Sequence, residues 1–538
     1  MIKKGVLTFC AVVLTVLSSS GQNCLPSGIT INSQSQLDNF SKNYPGCTTI
    51  GGDVLIENVG NLLGLSQIKS IAGNLTLKLL IKDLKGLHNL TTIGGDLTIS
   101  GNSLLTNFTG LEALNSVGKN VLIERNDVLD NFNGLENLKS VGGDLSIRDN
   151  KVLTNISALK NVATIGNNLI ISTNNQLLNI NGLAGITEIN NDLVVESNPL
   201  LTSLDGLNNL KTVKRDLKIR FNNSLKDLQG LNGLITTGRS FEIERNDNIS
   251  SFTGLENLNT IYRLFVVDND NLINLKGLDN LKIVKENLTL FGIDKLNSLN
   301  GLQNVTSVDG MLQIKSCNAL TNLTGLSGLT KVGISFEISD NLGMINLQGL
   351  NSFVSSANLY VSGCASLENL VGLESLKNIN NGNLTISYCD KITSLKGIEN
   401  IDPKTIGYVT IELNALLSTC AIQSVCSYLS DIAKSAAIRS NKEGCNNREE
   451  VTAMCKAVLS VDENDLLSST TLYPNPTIGK VSINVKSDCK IYIYNAIGEQ
   501  LKEVSLVVGY NEVNLDSLPS GVYFFKTKKG NSLKVLKK

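Results

Sequence analysis

The sequence predicts a mainly β protein built around a long parallel β-solenoid, with a small helical disulfide-bonded cap and a C-terminal β-sandwich. Three observations carry that expectation. Gly-Leu recurs along most of the chain in steps of 22 to 25 residues, mostly 24. Within each step apolar residues return every third position, which suits neither one long helix nor a strand. And 68 of the 538 residues are Asn, an excess of the kind that repetition produces.

The elements follow in chain order. Lys3 and Lys4 precede an apolar stretch over 5–17, and Ser18, Ser19, Ser20 and Gly21 are small residues suited to cleavage, so residues 1–21 read as a signal peptide. The stretch is too short to span a bilayer, and no later one reaches the length that would. Segment 22–49 is an N-terminal cap bracketed by Cys24 and Cys47, which are expected to pair in an oxidising compartment.

The solenoid is expected over 50–416, as fifteen Gly-Leu units from Gly64-Leu65 to Gly397-Ile398 preceded by a strand at Val54-Leu55-Ile56, sixteen coils in all. One unit shows the physics. Leu97-Thr98-Ile99-Ser100 alternates apolar and polar, so Leu97 and Ile99 share one side of a short strand. Leu105, Phe108, Leu111, Leu114 and Val117 then recur every three residues, as in a coil that turns around an axis. A single coil cannot bury this set, but stacked coils can.

The Asn excess has a place in that unit. Five residues after each strand start stand Asn102, Asn126, Asn150, Asn174, Asn198, Asn222 and Asn246. An amide has two donors and one carbonyl acceptor, so a stack of them forms a structural ladder inside the turns. Cys317, Cys364 and Cys389 occupy the same position and are read as buried thiols, with a Cys364–Cys389 disulfide as an alternative.

The strand pattern Leu97-x-Ile99-x-x-Asn102 looks like that of leucine-rich repeats. The order Leu111-x-x-Leu114-x-x-Val117-Gly118 looks more like the receptor L-domain. The resemblance implies a right-handed parallel solenoid and names no ligand, because such folds display binding faces of many kinds.

Past Leu416 the period ends. Segment 417–459 is expected to be a helical cap, with one helix over 420–432 and a second opened by a capping box at Asn447-Arg448-Glu449-Glu450. Cys420, Cys426, Cys445 and Cys455 allow three disulfide connectivities, and a zinc site is the rival reading. Residues 460–471 are a polar, acidic linker. From 472 to 538 short alternating strands suit a small β-sandwich, and its ten Lys against five acids, counted from Thr471, give it a charge of +5.

That module resembles the type A C-terminal sorting domain of the type IX secretion system. The matching residues are Tyr473-Pro474-Asn475-Pro476 with Gly479, the turn at Asn495 to Gly498, Leu518-Pro519-Ser520 leading into Gly521-Val522-Tyr523, and the basic tail with Lys534, Lys537 and Lys538. The resemblance implies delivery by an outer-membrane translocon to the cell surface or the medium.

Function is otherwise read by exclusion and by one local feature. Lys+Arg and Asp+Glu number 47 and 48, which argues against a nucleic-acid partner. His88 is the only His and Trp is absent. No Gly-x-Ser-x-Gly, phosphate loop or HExxH stands in the chain, so neither a cofactor nor a catalytic residue is expected. Phe265, Val267 and Phe291 are expected to project outward from adjacent coils, with Tyr262 just before and Phe221 two coils away, a candidate contact for a protein or glycan. The expected function is a non-enzymatic binding or adhesion module. A solenoid carbohydrate hydrolase and a purely structural surface protein are the alternatives.

Overall fold

A computed structural model describes residues 22–459, 472–485, 488–527 and 532–538. The signal peptide and the linker at 460–471 lie outside the described residues. The chain divides into two compact units, the first running to Leu417 and taking in Ser435–Lys442, the second comprising Ser418–Lys434 and Glu443–Lys538.

The first unit is a parallel β-solenoid of about 17 turns. Its main ladder stacks short strands such as Leu97–Ser100, Val121–Glu124, Leu145–Arg148 and Leu169–Ser172 in register, so that Ile99, Ile123, Ile147 and Ile171 line up. A second ladder of two-residue strands, among them Ser116–Val117, Ser140–Val141 and Thr164–Ile165, runs alongside. Thr236–Glu244 and Thr260–Val267 pass through both ladders as single strands, with a register shift between Thr237 and Ser240.

The main ladder extends past both ends of the 50–416 segment expected from the Gly-Leu period. Ile29–Ile31 pairs with Val54–Glu57, and Ala436–Arg439 pairs with Ile406–Glu412. Neither terminal strand is followed by Gly-Leu, so the period does not reveal them. Both keep the alternation that the ladder needs.

The every-third-residue apolar set forms the core. Leu105, Phe108, Leu111 and Leu114 are fully buried, as are Leu97 and Ile99 from the strand. Glycine at the Gly-Leu step is required by packing as well as by conformation. Gly134 has φ +105°, and a Cβ there would strike the carbonyl of Phe108 one coil earlier.

Asn supplies most of the remaining polar closure, in four separate columns. Asn150 is typical of the expected ladder. Its Nδ2 donates to the carbonyls of Ile123 (3.1 Å) and Arg148 (3.0 Å), and its Oδ1 accepts from the backbone N–H of Asn126 (3.2 Å). The residue before it, Asp149, is left-handed at φ +57°, as are Arg125, Thr173 and Ser197 in the equivalent places. That twist directs the next side chain inward. Asn102 Oδ1 is buried without a partner at the head of this ladder.

The other three columns were not read from sequence. On the turn side, Asn137, Asn161, Asn257 and Asn280 each donate to a carbonyl of the preceding coil at 2.7–2.8 Å. Just before the strands, the side chains of Asp96, Asn120, Asp144 and Asn168 each accept from the backbone one coil later at 2.8–3.0 Å. Ahead of the Gly-Leu step, Asn107, Asn131 and Asn322 close Asx turns on the N–H two residues on.

Among the described residues three disulfides are formed. Cys24 joins Cys47, and the four later cysteines pair as Cys420–Cys445 and Cys426–Cys455. In the second unit the helices are Gln423–Leu429 and Arg448–Leu459. The first is shorter than the 420–432 expected. Asn447 and Glu450 form the reciprocal capping pair, with Glu450 N–H on Asn447 Oδ1 and Asn447 Nδ2 on Glu450 Oε1, both at 2.9 Å.

The C-terminal module has two antiparallel sheets. One orders Leu472–Tyr473, Lys480–Val485 and Gly509–Asn514; the other orders Gln500–Leu506, Cys489–Tyr494, Gly521–Thr527 and Ser532–Lys537. Val481 and Ile483 from one and Ile491, Ile493 and Phe525 from the other share a single core. Cys489 packs against that core as a free thiol.

Candidate functional site

Alternation along each main-ladder strand sends two residues per coil outward, and in-register stacking turns them into columns. The first column runs Lys218, Glu242, Phe265, Thr289, Gln313; the second runs Arg220, Glu244, Val267, Phe291, Lys315. The inward residues repeat and these do not, so the outer face differs from coil to coil.

Val267 and Phe291 are direct register neighbours in the second column. Phe265 lies in the first, between Glu242 and Thr289. All three are half-buried. Tyr262 and Phe221 sit elsewhere. Tyr262 is on the stretch joining the two ladders, with the Lys285 ammonium 4.7 Å from its ring centre. Phe221 occupies the left-handed position after its strand (φ +55°), with the Arg245 guanidinium 5.5 Å from its ring centre. Phe265, Val267 and Phe291 thus stand together on the outer strand face, while Tyr262 and Phe221 are exposed apart from them, each with a cation near its ring.

The charged stretches of the outer face are paired across coils. Arg148 Nε meets Glu124 Oε2 at 2.9 Å, and Arg220 engages both Glu242 and Glu244. Pairs of this exposure contribute about 0.2–1 kcal/mol each. Asp247 is one carboxyl held above its ordinary range, by partial burial first and then by the charge of Asp270. Among the described residues no group of three or more His, Cys, Asp or Glu is placed to hold a metal ion. His88 is exposed on a turn, its Nδ1 2.6 Å from the Lys85 carbonyl.

Cys317, Cys364 and Cys389 are buried free thiols in the ladder. Burial pushes the Cys317 thiol up to about 12. Cys389 is also raised, by its hydrogen bond with Cys364 and then by burial.

In the C-terminal module the sequence-matched residues fall into two sets. Asn475 ties the start of the module to its end, donating to the Lys534 carbonyl (2.7 Å) and accepting from Leu536 N–H (2.9 Å). Thr477 N–H donates to the Leu536 carbonyl, and Lys538 N–H to that of Thr477. Gly479 lies against Asp516, where a Cβ would collide. The Tyr523 hydroxyl donates to the Pro519 carbonyl at 2.6 Å. Gly498 turns the chain at φ +86°. Gly521 opens its strand.

Lys537, read from sequence as part of a basic tail, is buried. Its ammonium donates to the carbonyls of Asp516 and Leu518. The second set faces solvent, with Tyr473 76% exposed and Lys534 and Lys538 exposed as well. Pro474 and Pro476 both follow cis peptide bonds. In the last strand, Ser532–Lys537, Val535 and Lys537 point inward.

Residues 471–538 match the secretion system C-terminal sorting domain. The protein is thus secreted through the type IX system, across the outer membrane to the cell surface or the extracellular space, and the module implies contact with the translocon. No curated protein matches the chain. Among the described residues no helix is long and apolar enough to cross a membrane.

Proposed function

We propose that the exported solenoid is a non-enzymatic binding or adhesion module, of the leucine-rich-repeat or receptor L-domain type, that presents its outer strand face to an extracellular partner. One observation carries this reading: the Val267–Phe291 register pair with Phe265 beside it, two half-buried aromatic rings and a valine together on a face that elsewhere mixes paired charges and hydroxyls with single aliphatic residues such as Leu122, Ile170 and Val194. Apolar groups clustered on a polar surface favour a protein partner.

The test is the double substitution Phe265→Ser/Phe291→Ser in the secreted protein, with binding to the producing cells or their matrix as the readout. Both residues project from the face rather than into the core, so the fold is expected to survive. Loss of binding with unchanged circular dichroism supports the reading. Undiminished binding removes the strip from the function.

A further inference from the structure

The second outer column changes character a few coils beyond the Phe strip. After Phe291 and Lys315 come Ser339, Ser362 and Ser387 in strict register, and then Glu412. Three short side chains between long ones leave a trough. Lys315 and Glu412 are four strand spacings apart, about 19 Å at 4.7–4.9 Å per strand. The depression over Ser339 to Ser387 measures about 400 Å³, and Glu337, Tyr360 and Thr385 from the first column also line it.

The lining is built and ordered. Ser339 Oγ donates to Glu337 Oε1 at 2.9 Å, and Glu337 Oε2 accepts from Gln313 Nε2 at 2.9 Å. The hydroxyls of Ser362 and Ser387 are 3.0 Å apart. Tyr360 is held by Asn383, whose Nδ2 donates to the phenol oxygen at 3.0 Å. At the near end the Lys315 ammonium lies 3.5 Å from the Asp340 carboxylate.

We propose that this trough binds a neutral oligosaccharide lying along the solenoid axis. Hydroxyls both donate and accept, so a floor of them suits a ligand whose own groups do the same. An anionic ligand would meet the Glu337 carboxylate while the one nearby ammonium is already engaged by Asp340. A peptide strand has no place to add, because the backbone of each strand here is hydrogen-bonded to a coil on both sides. Tyr360 supplies an amphipathic ring of the kind that covers the apolar face of a pyranose. The inference rests on the binding-module reading but not on the Phe strip, which lies in other coils.

Ser362→Arg is the test variant. Arg stands in this same column at Arg148 and Arg220, so the fold accepts it while the trough is filled. The full exported chain is titrated with gluco-, xylo- and manno-hexasaccharides and with an anionic galacturonic hexamer, followed by calorimetry and by the fluorescence of its 11 Tyr, which no Trp obscures. One or more neutral hexamers are expected to bind, at least about tenfold more weakly in Ser362→Arg and in Tyr360→Ala, and unchanged in Phe265→Ser/Phe291→Ser. Absence of binding by every neutral hexamer, equal binding of the anionic one, or binding undisturbed by Ser362→Arg would overturn the proposal. Mass spectrometry of the recovered sugar separates the two readings: an intact hexamer agrees with both, whereas shortened products would leave the trough standing and refute the non-enzymatic function.

Discussion

Asn150→Ala tests how much one rung of the inner ladder contributes. The substitution deletes the donations of Nδ2 to the Ile123 and Arg148 carbonyls and to Asn174 Oδ1, and removes the Oδ1 that accepts from both the N–H and the Nδ2 of Asn126. Asn126 is fully buried, so water cannot replace the lost acceptor. An orphaned buried donor costs about 1–3 kcal/mol, and each lost neutral hydrogen bond about 1 kcal/mol. With the two Nδ2 hydrogens counted as two lost bonds, these give a local destabilisation of about 3–5 kcal/mol. In a stacked repeat the loss is felt by the coil and its immediate neighbours rather than by the whole chain. Hydrogen exchange read by mass spectrometry is therefore the assay. Exchange around Asn126 is expected to speed up a hundredfold or more, at about tenfold per 1.4 kcal/mol. Peptides around Asn222, four rungs away, serve as the internal control. Protection at Asn126 equal to that at Asn222 would refute the ladder as a source of stability.

Further outcomes follow from the same geometry. Gly134→Ala forces a Cβ onto the Phe108 carbonyl at φ +105° and is expected to cost about 3 kcal/mol, read as a lowered denaturant midpoint with secretion retained or reduced. Non-reducing peptide mapping is expected to recover Cys420–Cys445 and Cys426–Cys455, and Cys420→Ser/Cys445→Ser to lose about 2–5 kcal/mol; a crossed pairing would contradict the fold. Lys537→Met removes the buried ammonium that holds the Asp516 and Leu518 carbonyls; it is expected to destabilise the sorting module by about 2 kcal/mol and to shift protein from medium or surface to periplasm in cell fractions, whereas Lys534→Met leaves module stability unchanged. The Cys317 thiol, raised from 9.0 to about 12, stays protonated in the fold while the unfolded thiol ionises. Its contribution to stability is complete below pH 9 and is lost as pH rises toward 12. A thiol reagent at pH 9 should label Cys317 only after denaturant is added, and rapid labelling of the native protein would contradict its burial.

The solenoid was legible because its core is written in a period. Leu105, Phe108 and Leu111 announce a coil, and Asn126 or Asn150 announces a ladder, each by position alone. What escaped was whatever lacked the period. Ile29–Ile31 and Ala436–Arg439 join the main ladder without a Gly-Leu step, and register with a neighbour is a tertiary fact. Three of the four Asx columns escaped because their partners are backbone groups, 24 or 25 residues away in two columns and two residues on in the third, where spacing among side chains gives no sign. The places of Tyr262, on the stretch between the ladders, and of Phe221, in a left-handed turn, depend on backbone geometry that spacing does not carry. The trough was present in the sequence as Ser339, Ser362 and Ser387, but small residues mean a groove only when larger ones stand at both ends of the same column.

Along the ladder of Asn126, Asn150 and Asn174 every rung offers its Oδ1 to the rung before it and donates from Nδ2 to a carbonyl of the preceding coil, the same joint at each step. Such a joint has no fixed copy number. A duplication or deletion of one unit of 24 codons within this uniform stretch would reproduce the same junction, with the core, the Gly contact and the amide stack closing as before. The joint itself then sets no number of coils, and a change in that number would alter the order of residues along the outward columns without altering any buried residue.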